Sequence, residues 1–291
     1  MTRTLGDGRG APAQAAPDRD GAQAGAAPRG RLLLMPNALD LGTEAVPLDD
    51  VLAAGVIAAA ARLGHWVVED ARSARAFLNR VNHLAPLAQP LQATAITELP
   101  RPQKGGPRGG AGAASAGRGP AGTAPSPWEA LLAPALAGHD LGLLSEAGLP
   151  GVADPGAQLV AAAHAMHIPV IALSGPSSIT LAIAASGLNG QSFVFHGYLE
   201  TEAGARRGRL RELEATSRRL QQTQVFIETP YRNAAMLEAA LEALQPATRL
   251  AISCGLTLPE GWSATRTVAQ WRAARAALPD RVPAVFSLLA G

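Results

Sequence analysis

Short apolar runs alternate with stretches of helical character from Arg31 to the end of the chain, and that alternation leaves few folds open. Strands separated by helices pair mainly in parallel, in sheets covered by those helices. Strands are predicted at 31–35, 66–69, 141–145, 169–173, 193–197, 224–228 and 249–254, with shorter elements at 265–268 and 284–288. Helices are predicted over 47–63, 73–81, 128–137, 157–166, 177–186, 206–222, 233–244 and 270–277. The first of these has Pro47 near its start and Gly64 after its end, the favoured arrangement at helix termini. The predicted class is α/β with mainly parallel sheets, which bind ligands beyond the carboxyl ends of their strands.

Two stretches interrupt the pattern. Residues 1–30 are mostly Ala, Gly, Asp, Arg and Pro without periodicity, too poor in apolar surface to offset the entropy of ordering, and are expected to be disordered. Residues 99–127 hold Arg101, Lys104, Arg108 and Arg118 and no acid, so they more than account for the formal net charge of +2. They read as a flexible basic insertion, either a solvated linker or a loop that attracts phosphates. The whole chain is 47% hydrophobic, enough for a core, and 291 residues fill one large domain or two small ones.

The single cysteine, Cys254, has no intramolecular disulfide partner, and no Cys/His spacing suggests a zinc site. A reducing cytoplasm fits. No apolar stretch precedes Arg31, so no secretory signal is expected. The longest apolar runs, such as 51–61, are too short and too rich in Ala to span a membrane.

Four segments carry the chemistry. Ser145-Glu-Ala-Gly-Leu-Pro-Gly-Val-Ala-Asp-Pro-Gly156 leaves a strand's carboxyl end with three glycines and two prolines. Its backbone is tightly shaped and approachable, as a ligand loop needs, though an ordinary strand-to-helix turn reads the same way. Asp154 before Pro155 suggests an N-cap and first helical residue. Leu173-Ser-Gly-Pro-Ser-Ser178 also leaves a strand end, and Ser177 or Ser178 can cap the next helix. In Glu69-Asp-Ala-Arg-Ser-Ala-Arg75, two acids leave a strand and two arginines share a helix face, which fits a site or an internal ion pair. In Phe226-Ile-Glu-Thr-Pro-Tyr-Arg232, Glu228 ends a strand at the ligand edge. Weaker candidates are His196 and Tyr198 at a strand end, and an arginine-rich helix that reads as a solvated face or a nucleic-acid patch.

Together these segments resemble the tetrapyrrole methylase-like (class III) methyltransferases that use S-adenosylmethionine (SAM), and within them the bacterial 16S ribosomal RNA cytidine 2′-O-methyltransferases. The resemblance runs from about Arg31 to Leu289 without the insertion. It rests on Glu69-Asp70 with Arg72, the SEAGLPGVADPG loop, the GPSS turn, Ala185-Ser-Gly-Leu188, His196-Gly-Tyr-Leu199, Arg206-Arg207 and IETPYR. A further bacterial branch shares nearly the whole phrases VEDARSAR, NGQSF-F-HGYL and QTQ-FIETPYRN.

The resemblance implies two α/β domains, over 31–173 and 174–291, with SAM in the cleft between them, and a homodimer. It places SAM against Pro36, Ser145, Glu146, Ala147, Gly148, Val152, Ala153, Ser177, Phe226 and Glu228. The acceptor, rRNA or a ribosomal subunit, falls to Tyr198, Arg206, Arg207, Tyr231 and Arg232. Departures are also visible. The relatives carry a stretch like T-P-I-G-N in the first loop, where this chain has Met35-Pro-Asn-Ala-Leu-Asp40. An Arg-Glu-Leu-Thr-Lys segment is replaced by Cys254-Gly-Leu-Thr-Leu258, and the small C-terminal domain of many relatives is not expected here.

Methyl transfer from a sulfonium is an in-line displacement that needs no metal, and positioning supplies on the order of 7–11 kcal/mol. A ribose hydroxyl acceptor needs a base, for which Glu69, Asp70 and His196 are candidates by position. Arg72 or Arg232 could hold a substrate phosphate. A small-molecule, tetrapyrrole-like methylase and a non-catalytic SAM-binding module remain the alternatives.

Overall fold

A computed structural model of the chain describes residues 29–40, 42–43, 46–100, 126–274 and 277–291. Most of the tail (1–30) and of the insertion (99–127) therefore lies outside the described residues. Five strands form the first sheet: β1 (Leu32–Met35), β2 (His65–Val68), β3 (Ala95–Glu98), β4 (Leu141–Leu144) and β5 (Val170–Ala172). They run in the order β3-β2-β4-β1-β5, and every pairing is parallel. Their connections carry α1 (Leu48–Val51), α2 (Ala54–Arg62), α3 (Ala71–Leu84), α4 (Pro127–Leu131), α5 (Ala133–Leu136) and α6 (Ala157–Ala165).

The second half begins with α7 (Ser178–Ser186), followed by β6 (Phe193–Tyr198), α8 (Ala203–Leu220), β7 (Thr223–Glu228) and α9 (Asn233–Ala243). It ends with β8 (Arg249–Cys254), β9 (Trp262–Thr267), α10 (Val268–Ala274) and β10 (Ala284–Leu289). The order is β6-β7-β10-β8-β9. Here the expectation of mainly parallel pairing does not hold. Only β6 and β7 are parallel; the pairs β7–β10, β10–β8 and β8–β9 are antiparallel. The loop 255–261 between β8 and β9 is too short for the crossover that parallel pairing demands. With β9 turned back, β10 inserts between β7 and β8 against the direction of both.

Three local departures have physical causes. The helix predicted over 47–63 breaks at Leu52 and Ala53, both extended, because Leu52 turns into the core. The helix predicted over 128–137 breaks at Leu132 because Pro134 has no N–H and its ring clashes with the preceding turn. Strand β3 was not predicted at all. It is a four-residue sheet edge, mostly exposed, with no apolar alternation to mark it.

Burial explains why the strongest strand signals belong to the central strands. All four residues of β4 and all six of β10 are buried. Within β4 the ring of Trp66 lies over Gly142, where a Cβ would come within 2.6 Å of Trp66 Cε3. Trp66 is itself fully buried, edge-on to Phe77. The second half has its own core, in which Phe226 and Phe286 stack with centroids 5.6 Å apart. Among the described residues no helix is long and apolar enough to cross a membrane.

Gly142→Ala is expected to overpack the first core by about 1–3 kcal/mol, lowering the melting temperature by about 3–10 °C. Thermal unfolding followed by circular dichroism checks this; an unchanged melting point would mean that the indole has room to move.

Candidate functional site

The carboxyl ends of the first sheet are tied into one unit by Asn37, just after β1. Its backbone N–H donates to Gly148 O at 2.9 Å, and its carbonyl accepts from Gly148 N–H at 3.2 Å. Its side-chain amide donates to Ser145 O at 3.2 Å and Glu146 O at 2.9 Å, while Oδ1 accepts from Ala38 N–H. From the end of β2, the Glu69 carboxylate accepts from Glu146 N–H at 3.2 Å. Behind the first loop Asp40 is buried and paired with Arg80 at 3.0 Å. Pro36 is buried against Gly175, whose Cβ would lie 2.2 Å from the proline ring.

The loop after β4 is held in unusual backbone. Gly148, Gly151 and Gly156 have positive φ, and so does Ala153 at 67°. A left-handed non-glycine residue costs about 1–2 kcal/mol. Helix α6 starts at Ala157 with Gly156 at the N-cap, so Asp154 does not cap it as expected. The left-handed turn at Gly156 separates Asp154 from the helix, and its carboxylate faces a cavity instead.

That cavity, of about 200 Å³, lies between the two sheets. Leu39, Ala147, Gly148, Leu149, Val152, Ala153 and Asp154 line it from the first half. The second half supplies apolar groups such as Ile179, Ile227, Leu256 and Val285, together with Ser177, Tyr198, Glu228 and Ser253. Two carboxylates line it, and among the described residues no Lys, Arg or His does.

The electrostatics are uneven. Burial, then repulsion from Glu69 and Glu146, pushes the Asp154 carboxyl up to about 7. Burial and the charges of Glu69 and Asp70 also raise Glu146. Burial raises the Tyr198 phenol, with Asp154 and Glu228 adding to the effect. Glu228 is buried and pairs with Arg232 at 2.7 Å. Asp70 is different: it caps α3 by accepting from Ser73 N–H at 2.7 Å, and that bond holds its carboxyl below the usual range.

Of the residues assigned from sequence to SAM, Ala147, Gly148, Val152, Ala153, Ser177 and Glu228 line the cavity. Ser145, Glu146 and Pro36 lie around it without lining it. Phe226 is elsewhere, buried in the second core, because alternate strand residues face opposite sides; its neighbour Ile227 reaches the cavity instead. Tyr198 lines the cavity, whereas Tyr231, next in sequence to the lining residue Pro230, is 77% exposed.

His196 is not among the lining residues. Its ring contacts Gln224 Oε1 at 2.7 Å and Arg209 at 3.4 Å, and burial lowers its basicity. Arg206 is buried beside Thr201 O, and Arg207 pairs with Glu242 at 3.3 Å. Arg72 is exposed at the start of α3. The sequence reading missed Asn37 and Ile227 and gave Asp154 a capping role. The glycine- and proline-rich setting of Asp154 was the one available signal; nothing local marked the other two.

A sequence model of the Tetrapyrrole (Corrin/Porphyrin) Methylases matches residues 124–269, half of the chain. The chain belongs to the tetrapyrrole methylase family. Among curated members, the "Ribosomal RNA small subunit methyltransferase I" of Mesorhizobium japonicum is 39% identical over 127 residues, 44% of this chain and 42% of that protein. The protein of the same name from Mycobacterium bovis is 44% identical over 115 residues, 40% of this chain and 39% of its own. The matches thus span about two fifths of the length of these tetrapyrrole methylase relatives. A crystal structure of the methyltransferase CobJ is similar over 90% of this chain and 100% of its own, with 16% identity and a TM-score of 0.49.

The raised Asp154 carboxyl has a consequence for stability. Its folded value, about 7, lies above the ordinary 3.8, so between about pH 4 and 7 the folded chain holds a proton that the unfolded chain has lost. Stability from this group is present at low pH and falls as pH rises through that window. Asp154→Asn is expected to flatten the decline and to raise the melting temperature at pH 8 by about 2–4 °C. Thermal scans from pH 5 to 8 test this; parallel wild-type and variant curves would contradict it.

Proposed function

We propose that this chain is a SAM-dependent methyltransferase acting on RNA, with a ribose 2′-hydroxyl of ribosomal RNA as acceptor. The observation that carries the reading is the lining of the cavity: apolar walls, serine hydroxyls and carboxylates, at the strand ends of a tetrapyrrole methylase. Such a lining suits a ligand with an apolar base and a cationic centre. A phosphate-bearing nucleotide would meet acids there and no basic residue in the lining. The names of the curated relatives support the RNA acceptor.

SAM, when bound, supplies an electrophilic methyl group on a cationic sulfur. The chain's own residues would hold, orient and dehydrate the reactants. Ile179, Ile227, Leu256 and Val285 offer apolar contact, and Ser177 stands at the start of α7 without a cap bond of its own, free to donate. Asp154 and Glu228 face the cationic part. Tyr198 lies on the side from which an acceptor would enter, exposed at 58%. Asp70, held ionised by its capping bond, is a poor proton acceptor, and His196 is engaged away from the cavity. The same proposal includes a homodimer in the cytoplasm. Strand β5, an edge of the first sheet that exposes Ile171, supports a pairing surface.

Calorimetric titration is expected to give saturable binding of SAM and S-adenosylhomocysteine near one site per chain, and none of ATP. Label from SAM is then expected in purified rRNA or a ribosomal subunit. Blank reactions with every ribosomal RNA species would remove the RNA reading and leave a small-molecule acceptor. Asn37→Ala, which frees the loop 145–148, is expected to weaken SAM binding about tenfold, corresponding to about 1.4 kcal/mol, with a smaller effect on melting temperature than Gly142→Ala. Unchanged affinity would show that the loop holds its shape without Asn37.

A further inference from the structure

Of the two carboxylates that line the cavity, Asp154 is the one without a partner. Glu69 is engaged with Glu146 N–H, Glu228 with Arg232 and Thr229, and Asp70 with Ser73. No described residue donates a hydrogen bond to the Asp154 carboxylate, although it lines the cavity directly. It follows a strained residue, the left-handed Ala153, and precedes the turn at Gly156. Strain retained at a ligand-facing position points to a role for the side chain that it aims.

The charged and titratable groups around Asp154 and its cavity come from four strand ends. Glu69 comes from the end of β2, Glu146 from the end of β4, Tyr198 from the end of β6, and Glu228 with its partner Arg232 from the end of β7. Apart from the paired Arg232, these are acids and a phenol. An ionised Asp154 therefore has no cation of its own among the described residues, and the cavity beside it is where one would be supplied.

We propose that Asp154 is the counter-ion by which the cavity distinguishes the cationic methyl donor from its neutral thioether product, giving up its proton when the cation binds and holding it when the product is present. This rests on the methyltransferase reading above. The burial and repulsion that leave Asp154 half-protonated near neutral pH make it responsive: a cation within about 4–6 Å draws a carboxyl down by about one to three pH units. Donor and product share every other group, so the difference between them at this carboxylate is one unit of charge. The device favours exchange of spent product for fresh donor, because the neutral ligand forgoes the ion pair.

The test uses the full chain, with SAM and S-adenosylhomocysteine as ligands and calorimetry in buffers of different ionisation enthalpy. At pH 7, SAM is expected to release about half a proton per site, and S-adenosylhomocysteine close to none. SAM affinity is expected to rise about tenfold from pH 6 to pH 8 while product affinity stays level. In Asp154→Asn, the difference in proton release and the pH dependence should both vanish, with product still binding. The wild-type pH series stands without the variant, should the variant fold poorly. Equal proton release for the two ligands, or a difference that survives in the variant, overturns the counter-ion role alone. Binding of neither ligand overturns the methyl-donor reading and this inference with it.

Discussion

The cleft depends on the double hydrogen bond between Asn37 and Gly148. Parallel strands leave their loops side by side at one edge of a sheet, but adjacency does not fix the loops to each other. Asn37 does so with backbone and side chain together, satisfying three carbonyls of the loop after β4. Glu69 adds a tie from the end of β2. The conformation that aims Asp154 at the cavity is thus supported from two neighbouring strands, which is how a loop with a left-handed alanine persists.

A second consequence follows from how the halves differ. The first sheet is parallel throughout and places all its strand ends on the cleft side. The second is mostly antiparallel, so only some of its strands end there: β6, β7 and β8 offer Tyr198, Glu228 and Ser253, and β10 offers its beginning, Ala284 and Val285. One wall of the cavity is built of loops, and the other combines strand termini with the start of α7 and short loops. The loop wall carries Asp154, whose carboxyl responds to its surroundings, and both walls are largely apolar.

Much of this was legible in the sequence, for reasons that also mark the limits. Buried strands announce themselves through apolar runs: β8 (Arg249–Cys254) matched its predicted span, and most other strands were found within a residue or two. The exposed edge strand β3 and the direction of β9 carried no such signal, since pairing direction is set by connection length and by what is already in place. At the site, motif order placed the right loops on the cavity. Individual side chains were harder. Phe226 and Ile227 are both apolar, and only the register of β7 decides which faces the cavity. Asp154 precedes a proline, so it reads as a helix cap, and only the turn at Gly156 reveals that it is not one. Asn37 is distant in sequence from the loop it holds.

Strand β7 carries Phe226 in the second core and Ile227 in the wall of the cavity, one residue apart. Stability and recognition are therefore written in a single alternating line of side chains. An insertion or deletion of one residue within that line would exchange the two roles at once, placing a phenylalanine in the cavity and an isoleucine against Phe286. Divergence of ligand preference along this strand is confined to like-for-like replacement at alternate positions. Freedom to acquire new acceptors lies instead in the loops beyond it, where length can vary without transposing the core.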